Sequence, residues 1–302
     1  MMTMSTSITS SMTGGQKKQY ERLVEDAGKH GMELALEKVE TDSAGWQRVI
    51  EFGDELKLAI AEVIVSTTRR LSISNEFADE ETESTYGYLS GYKPKTVAEQ
   101  LAALYKPFPH LVTANDQLAN NPLPAGAEGW FVIPRWELIA PTYGAAVEQV
   151  LGLIKKARKG KFTNYQEGEL GDKQLRISSR TAMMFQRLAE QQPGNDLLVV
   201  PAQFGLRYRG KSVRRSRATF LASEFGLGAF AIGIMLLTHP ERLKHYDDLW
   251  IDCAGDEFAP GAGGVFGGAP IFYFDDDGVE FDTGHVGGTY GSYGSVSGFL
   301  PQ

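Results

Sequence analysis

The chain changes its hydrophobic pattern at a proline-rich connection, and this change constrains its fold more than any other feature. Prolines stand at positions 107, 109, 122 and 124, followed by Gly126. Before them, apolar residues recur with the spacing of amphipathic helices, whereas short β-branched and aromatic runs follow. We therefore expect an α/β protein of the α+β type, with a helical N-terminal region before a mixed, partly antiparallel sheet domain that ends in a hairpin.

Three regions follow from this pattern. Residues 1–15 are rich in Ser, Thr and Met and lack the apolar run of a signal peptide, so we expect a flexible tail. Residues 16–125 are predicted to be mainly helical, with helices over 16–39 and 46–71 and a short helix that begins at Thr96. Residues 126–302 are predicted to form the α/β domain, which includes a C-terminal segment rich in Gly and Tyr.

The elements of the second half can be placed from local signals. Strands are predicted at 130–133, 197–200 and 249–253, and helices at 141–158 and 172–192. The clearest signal is a hairpin in which strands 271–274 and 279–281 flank Asp-Asp-Asp-Gly, a sequence typical of tight turns.

Composition excludes several classes of protein. The single cysteine, Cys253, excludes an intrachain disulfide and fits a reducing compartment, so we expect a cytoplasmic location. The longest uncharged apolar run, 225–238, is shorter than the roughly 20 residues that cross a bilayer. We therefore expect no membrane partner.

Positive charge is concentrated in two clusters, although the net charge is −8. Their members are Lys155, Lys156, Arg158, Lys159 and Lys161, and then Arg207, Arg209, Lys211, Arg214, Arg215 and Arg217. These cations could meet the acidic segment 76–83 within the molecule or across a contact between subunits, or they could bind nucleic acid phosphates. The favoured hypothesis is a self-assembling structural protein, a homo-oligomer; the alternative is a nucleic-acid-binding accessory protein.

Residues 205–212 match the phosphate-loop pattern, with Gly205, Gly210, Lys211 and Ser212 at its fixed positions. The segment follows a predicted strand and precedes a predicted helix, and Asp252 could hold the metal at the end of a later strand. A nucleotide-binding enzyme with a Mg-nucleotide is thus a further alternative. The bulky interior of the loop, without glycine, argues against it, and otherwise we expect no cofactor.

Asp252, Asp256, Glu257 and His239 are weak candidates for a metal site, because carboxylates and histidine are common ligands. Helix capping and turn formation explain such residues equally well. We therefore expect no bound metal, and no residue pattern identifies a catalytic group.

Four segments, 199–207, 225–230, 235–243 and 252–257, resemble a group of uncharacterised bacterial proteins. The resemblance covers about Trp136–Gln302. Since that group has no assigned activity, the resemblance implies neither catalytic residues nor a cofactor.

Overall fold

A computed structural model describes residues 13–71, 74–261 and 264–301 of the chain. The chain divides into two compact units, Met1–Ser74 and Asn75–Gln302. Helices precede two sheets of mixed and antiparallel pairing, so the predicted α+β class is confirmed. Within the described ranges, no helix is both long enough and apolar enough to span a bilayer.

The first unit consists of helices. They are α1 (Gly14–Lys38), α2 (Ser43–Glu51) and α3 (Gly53–Leu71). Thr13 and Gln16 form a reciprocal capping box at the start of α1, and Asp42 caps α2. The second predicted helix, 46–71, is divided at Phe52, where α2 ends. Of the predicted tail, residues 1–12 lie outside the described residues.

The second unit contains a small antiparallel sheet with the order β1-β4-β11-β5. Its strands are β1 (Gly129–Pro134), β4 (Leu197–Gln203), β5 (Glu224–Gly226) and β11 (Ser297–Phe299). Every residue of β1 and β4 is buried, as their continuous apolar runs predict. The helices α4 (Val97–Tyr105), α6 (Ser179–Gln191) and α8 (Ala229–Thr238) pack against this sheet, and α5 (Tyr143–Ala157) packs on α8 and on the other sheet of this unit.

A larger sheet of seven strands lies in the same unit. Its strands are β2 (Phe162–Asn164), β3 (Leu175–Ile177), β6 (Trp250–Asp252), β7 (Asp256–Phe258), β8 (Gly268–Asp275), β9 (Gly278–His285) and β10 (Tyr293–Ser295). The predicted hairpin is confirmed as β8–β9, and both turn residues, Asp276 and Asp277, have positive φ. One face of the sheet is core, where Phe272 and Phe281 are fully buried.

The division between units differs from the boundary expected near residue 125. The proline-rich connection lies inside the second unit, because the segment before it packs onto β1. Gln100 of α4 is fully buried; its amide nitrogen donates to the Trp130 carbonyl at 2.7 Å, and its amide oxygen accepts from the Val132 N–H at 3.0 Å. Proline marks an irregular path here rather than the end of a compact unit.

Candidate ligand-binding site

One face of the seven-stranded sheet carries aromatic side chains across three neighbouring strands. Tyr293 of β10 pairs with Trp250 of β6, and the register between β6 and β8 sets Trp250 beside Tyr273. Because side chains alternate between the faces of a strand, the three rings project from the same face. We call Tyr273, Trp250 and Tyr293 the aromatic row.

The rings of the aromatic row stack on one another. The Trp250 ring centroid lies 4.2 Å from that of Tyr273 and 4.9 Å from that of Tyr293, with interplanar angles of 18° and 22°. Tyr290 then packs on Tyr293 at 4.7 Å. Since β6 lies between β10 and β8, both faces of the Trp250 indole are covered. The row therefore offers a neighbouring ligand its ring edges and polar atoms.

A pocket of about 220 Å³ lies beside the aromatic row, which forms one wall. Its floor includes Asp252, Ile271 and Asp282, which pair in register across β6, β8 and β9. Val213, the first residue of helix α7 (Val213–Thr219), lines the pocket as well. At about 30 Å³ per molecule of liquid water, the volume corresponds to roughly seven waters, so the pocket suits a small ligand.

The Asp252 carboxyl group is the most unusual feature of this pocket. Asp252 is 3% exposed, and no described residue makes a hydrogen bond to its carboxyl group. Burial raises its pKa to about 7, opposed only by the positive charge of Arg217. Buried polar groups normally have partners, so a carboxyl group that lines a pocket without one is suited to binding a donor from outside the chain.

Ser295 adds a second unpartnered group on the same rung of the sheet. It pairs in register with Asp252, so both side chains project from the face that carries the pocket. The Ser295 hydroxyl is buried and lacks a hydrogen-bond partner among the described residues. Among the described residues, two polar groups on one rung of the sheet therefore have no hydrogen-bond partner.

The pocket is acidic. Asp282 supplies a second carboxylate, which accepts from the Gln166 amide at 2.8 Å. Two strand spacings separate Asp252 from Asp282, which places their Cα atoms roughly 10 Å apart. None of the described residues that line the pocket is a lysine or an arginine. The wall also contains the His285 imidazole, so an ammonium group would meet two carboxylates and one histidine ring here.

The cations of cluster 207–217 contact their own chain. Lys211 and Arg215 pair with Glu81, Arg214 with Glu80, and Arg207 with Glu224. Arg209 donates to the Tyr86 carbonyl, and Arg217 to the carbonyls of Ala254 and Asp256. Lys211, Arg214 and Arg215 therefore contact the acidic segment 76–83 inside the molecule. This contact is one of the alternatives that the sequence left open. Roles at a subunit interface or on nucleic acid remain predictions.

The phosphate-loop match has a compact structure whose backbone donors are occupied. Each of the eight N–H groups of residues 205–212 donates to an acceptor in this chain. The Ser212 hydroxyl caps α7 and donates to Glu80, and the Lys211 ammonium lies 3.2 Å from Glu81. A phosphate loop instead points free N–H groups at the ligand, so the nucleotide hypothesis gains no support from this geometry.

The first basic cluster is more exposed. Lys155 and Lys156 lie in the last turn of α5, and Lys159 and Lys161 follow it, all exposed. Arg158 differs, because its guanidinium donates to the carbonyls of Pro240 and Leu243. Cations at the C-terminal end of a helix also complement its dipole, so local structure accounts for part of this cluster.

Three of the four candidate metal ligands, His239, Asp256 and Glu257, have separate partners. His239 is fully buried, burial lowers its pKa to about 4, and its Nε2 accepts from the Lys95 N–H. Asp256 accepts from the Tyr143 hydroxyl and from the Ala229 N–H at the start of α8, while Glu257 pairs with Arg176. Over the described ranges, no group of three or more His, Cys, Asp or Glu residues is arranged to hold a metal.

Sequence reasoning names Asp252 but misses Asp282, Ser295 and the aromatic row around it. The sequence signal that could have found them is the alternation of side chains along each strand. It puts Trp250 and Asp252 on one face of β6, and Tyr273 and Ile271 on one face of β8. The pairing of β10 with β6 brings Tyr293 and Ser295 beside Trp250 and Asp252. This pairing is parallel and joins segments about 40 positions apart, so the sequence does not reveal it. Comparison with protein families, with curated proteins and with solved structures finds no match to this chain.

Proposed function

We propose that the second unit is a small-molecule-binding domain whose pocket beside the aromatic row takes a small organic cation. The observation that carries this proposal is the Asp252 carboxyl group, which is 3% exposed, lines the pocket and has no hydrogen-bond partner among the described residues. An ammonium group offers both the donors and the charge that this carboxylate lacks.

Two other ligand classes fit the pocket less well. Sugars bind aromatic platforms through open ring faces, and both faces of Trp250 are occupied by its neighbours. Metal ions prefer several oxygen or nitrogen ligands, and the described residues hold no such group here. An organic cation can contact both parts of the pocket. Its carbon chain would lie against the ring edges of the wall and against Ile271, and its nitrogen would lie at Asp252 on the floor.

The second carboxylate favours a ligand with two donor groups. Asp282 lies two strands from Asp252 on the same face, so a short diamine could address both acids. We expect 1,4-diaminobutane to bind more tightly than butylamine, since it gains a second charge-assisted hydrogen bond.

Titration calorimetry at about pH 8, where Asp252 is mainly ionised, tests this function. The expected dissociation constant for 1,4-diaminobutane is below about 1 mM, and Asp252→Asn should weaken binding at least about tenfold because the charge is lost. Asp276→Asn is the matched control, since Asp276 is an exposed acid in the β8–β9 turn. Absence of amine binding, or equal binding by both variants, refutes the proposal.

Affinity should also depend on pH in a way that separates a cation from a neutral ligand. An ammonium group requires the ionised carboxylate, so its affinity should fall about tenfold per pH unit below the Asp252 pKa of about 7. A neutral hydroxylated ligand such as glucose has no such requirement. Affinity that is flat with pH would therefore contradict recognition through Asp252.

A further inference from the structure

The N-terminal helical unit exposes most of its large apolar side chains. Twelve are exposed between positions 23 and 65: Leu23, Met32, Leu36, Val39, Val49, Ile50, Phe52, Leu56, Leu58, Ile60, Val63 and Val65. Among the residues of this unit whose burial is described, only Gly45 is buried. The described residues of this unit therefore do not form a buried apolar core.

Helix α3 is apolar on two opposite sides. Leu56 and Ile60 are four residues apart and share one side, while Leu58 and Val65 are seven apart and share another. The two sides are separated by about 170° around the helix, since each residue advances about 100°. One neighbouring helix can cover only one of these two sides, so the other side is left for a further partner.

Helix α1 gives a second reason to expect a partner. It has no buried residue along its 25 positions, and Gly28 and Gly31 lie in its interior. Glycine weakens a helix, and most helix stability in proteins comes from tertiary packing. A helix of this composition requires contacts beyond those that α2 and α3 provide.

Charge narrows the class of partner. Within α1 there are five basic and five acidic residues, and α3 has three of each. Surfaces that bind nucleic acid or anionic lipid are basic, whereas balanced charges of both signs can pair with the same surface on another molecule. We infer that α1 and α3 associate with the same helices of a second copy of this chain, through their apolar side chains.

This association differs from the ionic contact expected from the basic clusters, because its driving force is apolar burial. Salt screens exposed charge pairs but does not screen apolar contacts. The oligomer should therefore persist at about 1 M salt, where an assembly held by surface ion pairs dissociates.

Sedimentation of the full chain over a range of concentrations tests the inference. Wild type should be oligomeric, and Leu58→Gln combined with Val65→Gln should raise the dissociation constant at least about tenfold. Gln keeps a high helix propensity, so circular dichroism can verify that the helix persists. The pair Leu56→Gln and Ile60→Gln repeats the test on the other side of α3.

The matched control replaces two exposed apolar residues of the second unit, Leu89→Gln and Val112→Gln, which are 61% and 65% exposed. It should leave association unchanged. A monomeric wild type, association that both α3 variants retain, or dissociation in high salt would each overturn the inference. A monomer that instead sediments with phosphatidylcholine vesicles would overturn it in favour of a lipid surface.

Discussion

The Asp252→Asn substitution isolates the cost of ionising a buried carboxyl group that has no hydrogen-bond partner in the described part of the chain. Burial raises the pKa of Asp252 from 3.8 to about 7. The stability that this raised pKa confers is present at low pH and is lost as the pH rises toward about 7, because the folded state holds a proton that the unfolded state has released. Each pH unit in that window lowers the free energy of unfolding by about 1.4 kcal/mol.

Between about pH 5 and pH 8 this loss amounts to about 2 to 3 kcal/mol in wild type. Asn cannot ionise, so Asp252→Asn should lack this part of the pH dependence. Relative to wild type, the free energy of unfolding of the variant should therefore rise by about 2 to 3 kcal/mol between pH 5 and pH 8, whatever the difference between the two proteins at pH 5. Water that enters the pocket would reduce the figure, although Asp252 is only 3% exposed.

Urea unfolding followed by circular dichroism at several pH values provides the assay. The difference in free energy of unfolding between variant and wild type is plotted against pH, so the contribution of other groups, including buried Asp256, cancels. Asp276→Asn, at the exposed turn, should give a flat difference. A flat difference for Asp252→Asn as well would refute the conclusion that burial raises the pKa of this carboxyl group.

Three further substitutions test contacts around the site. Glu80→Gln should lower the free energy of unfolding by about 1–2 kcal/mol, because Glu80 accepts from Arg214 and Ser212; exposed Glu83→Gln should change it little, and equal effects would argue against the pairing. Gly255→Ala should cost about 3 kcal/mol, since an added Cβ would lie 2.5 Å from the Gly226 carbonyl oxygen, and a neutral result would mean that the backbones can separate. Lys211→Ala should lower the free energy of unfolding by less than about 1 kcal/mol through the loss of its Glu81 contact. Calorimetry of wild type with Mg-ATP should give no binding heat. Saturable heat that the variant loses would restore the nucleotide hypothesis.

Elements with strong local patterns could be predicted from the sequence. The β8–β9 hairpin depends on a turn that tolerates positive φ at Asp276 and Asp277, and β4 follows from a continuous apolar run. The short strands β2, β3 and β7 are three residues each, and they carry too little pattern to be found. The packing of α4 on β1 could not be predicted, because the interaction of Gln100 with β1 is long-range.

The candidate site illustrates the same limit. Asp252 could be named because it ends an apolar strand, but the sequence suggested nucleotide or metal chemistry for it. Its surroundings depend on the parallel pairing of β10 with β6, which no local pattern specifies. The ion pairs of Arg214 and Arg215 were only one of several alternatives, because charge alone does not reveal which acidic partner is nearby.

Proton release on ligand binding tests the central claim most directly. At about pH 6 most of the Asp252 carboxyl groups are protonated, given a pKa of about 7, and an ammonium ligand must displace that proton. Calorimetry of 1,4-diaminobutane binding in buffers of different ionisation enthalpy should therefore show release of close to one proton per site at about pH 6 and almost none at about pH 8. Binding without proton release at pH 6, or no binding at either pH, would contradict the account.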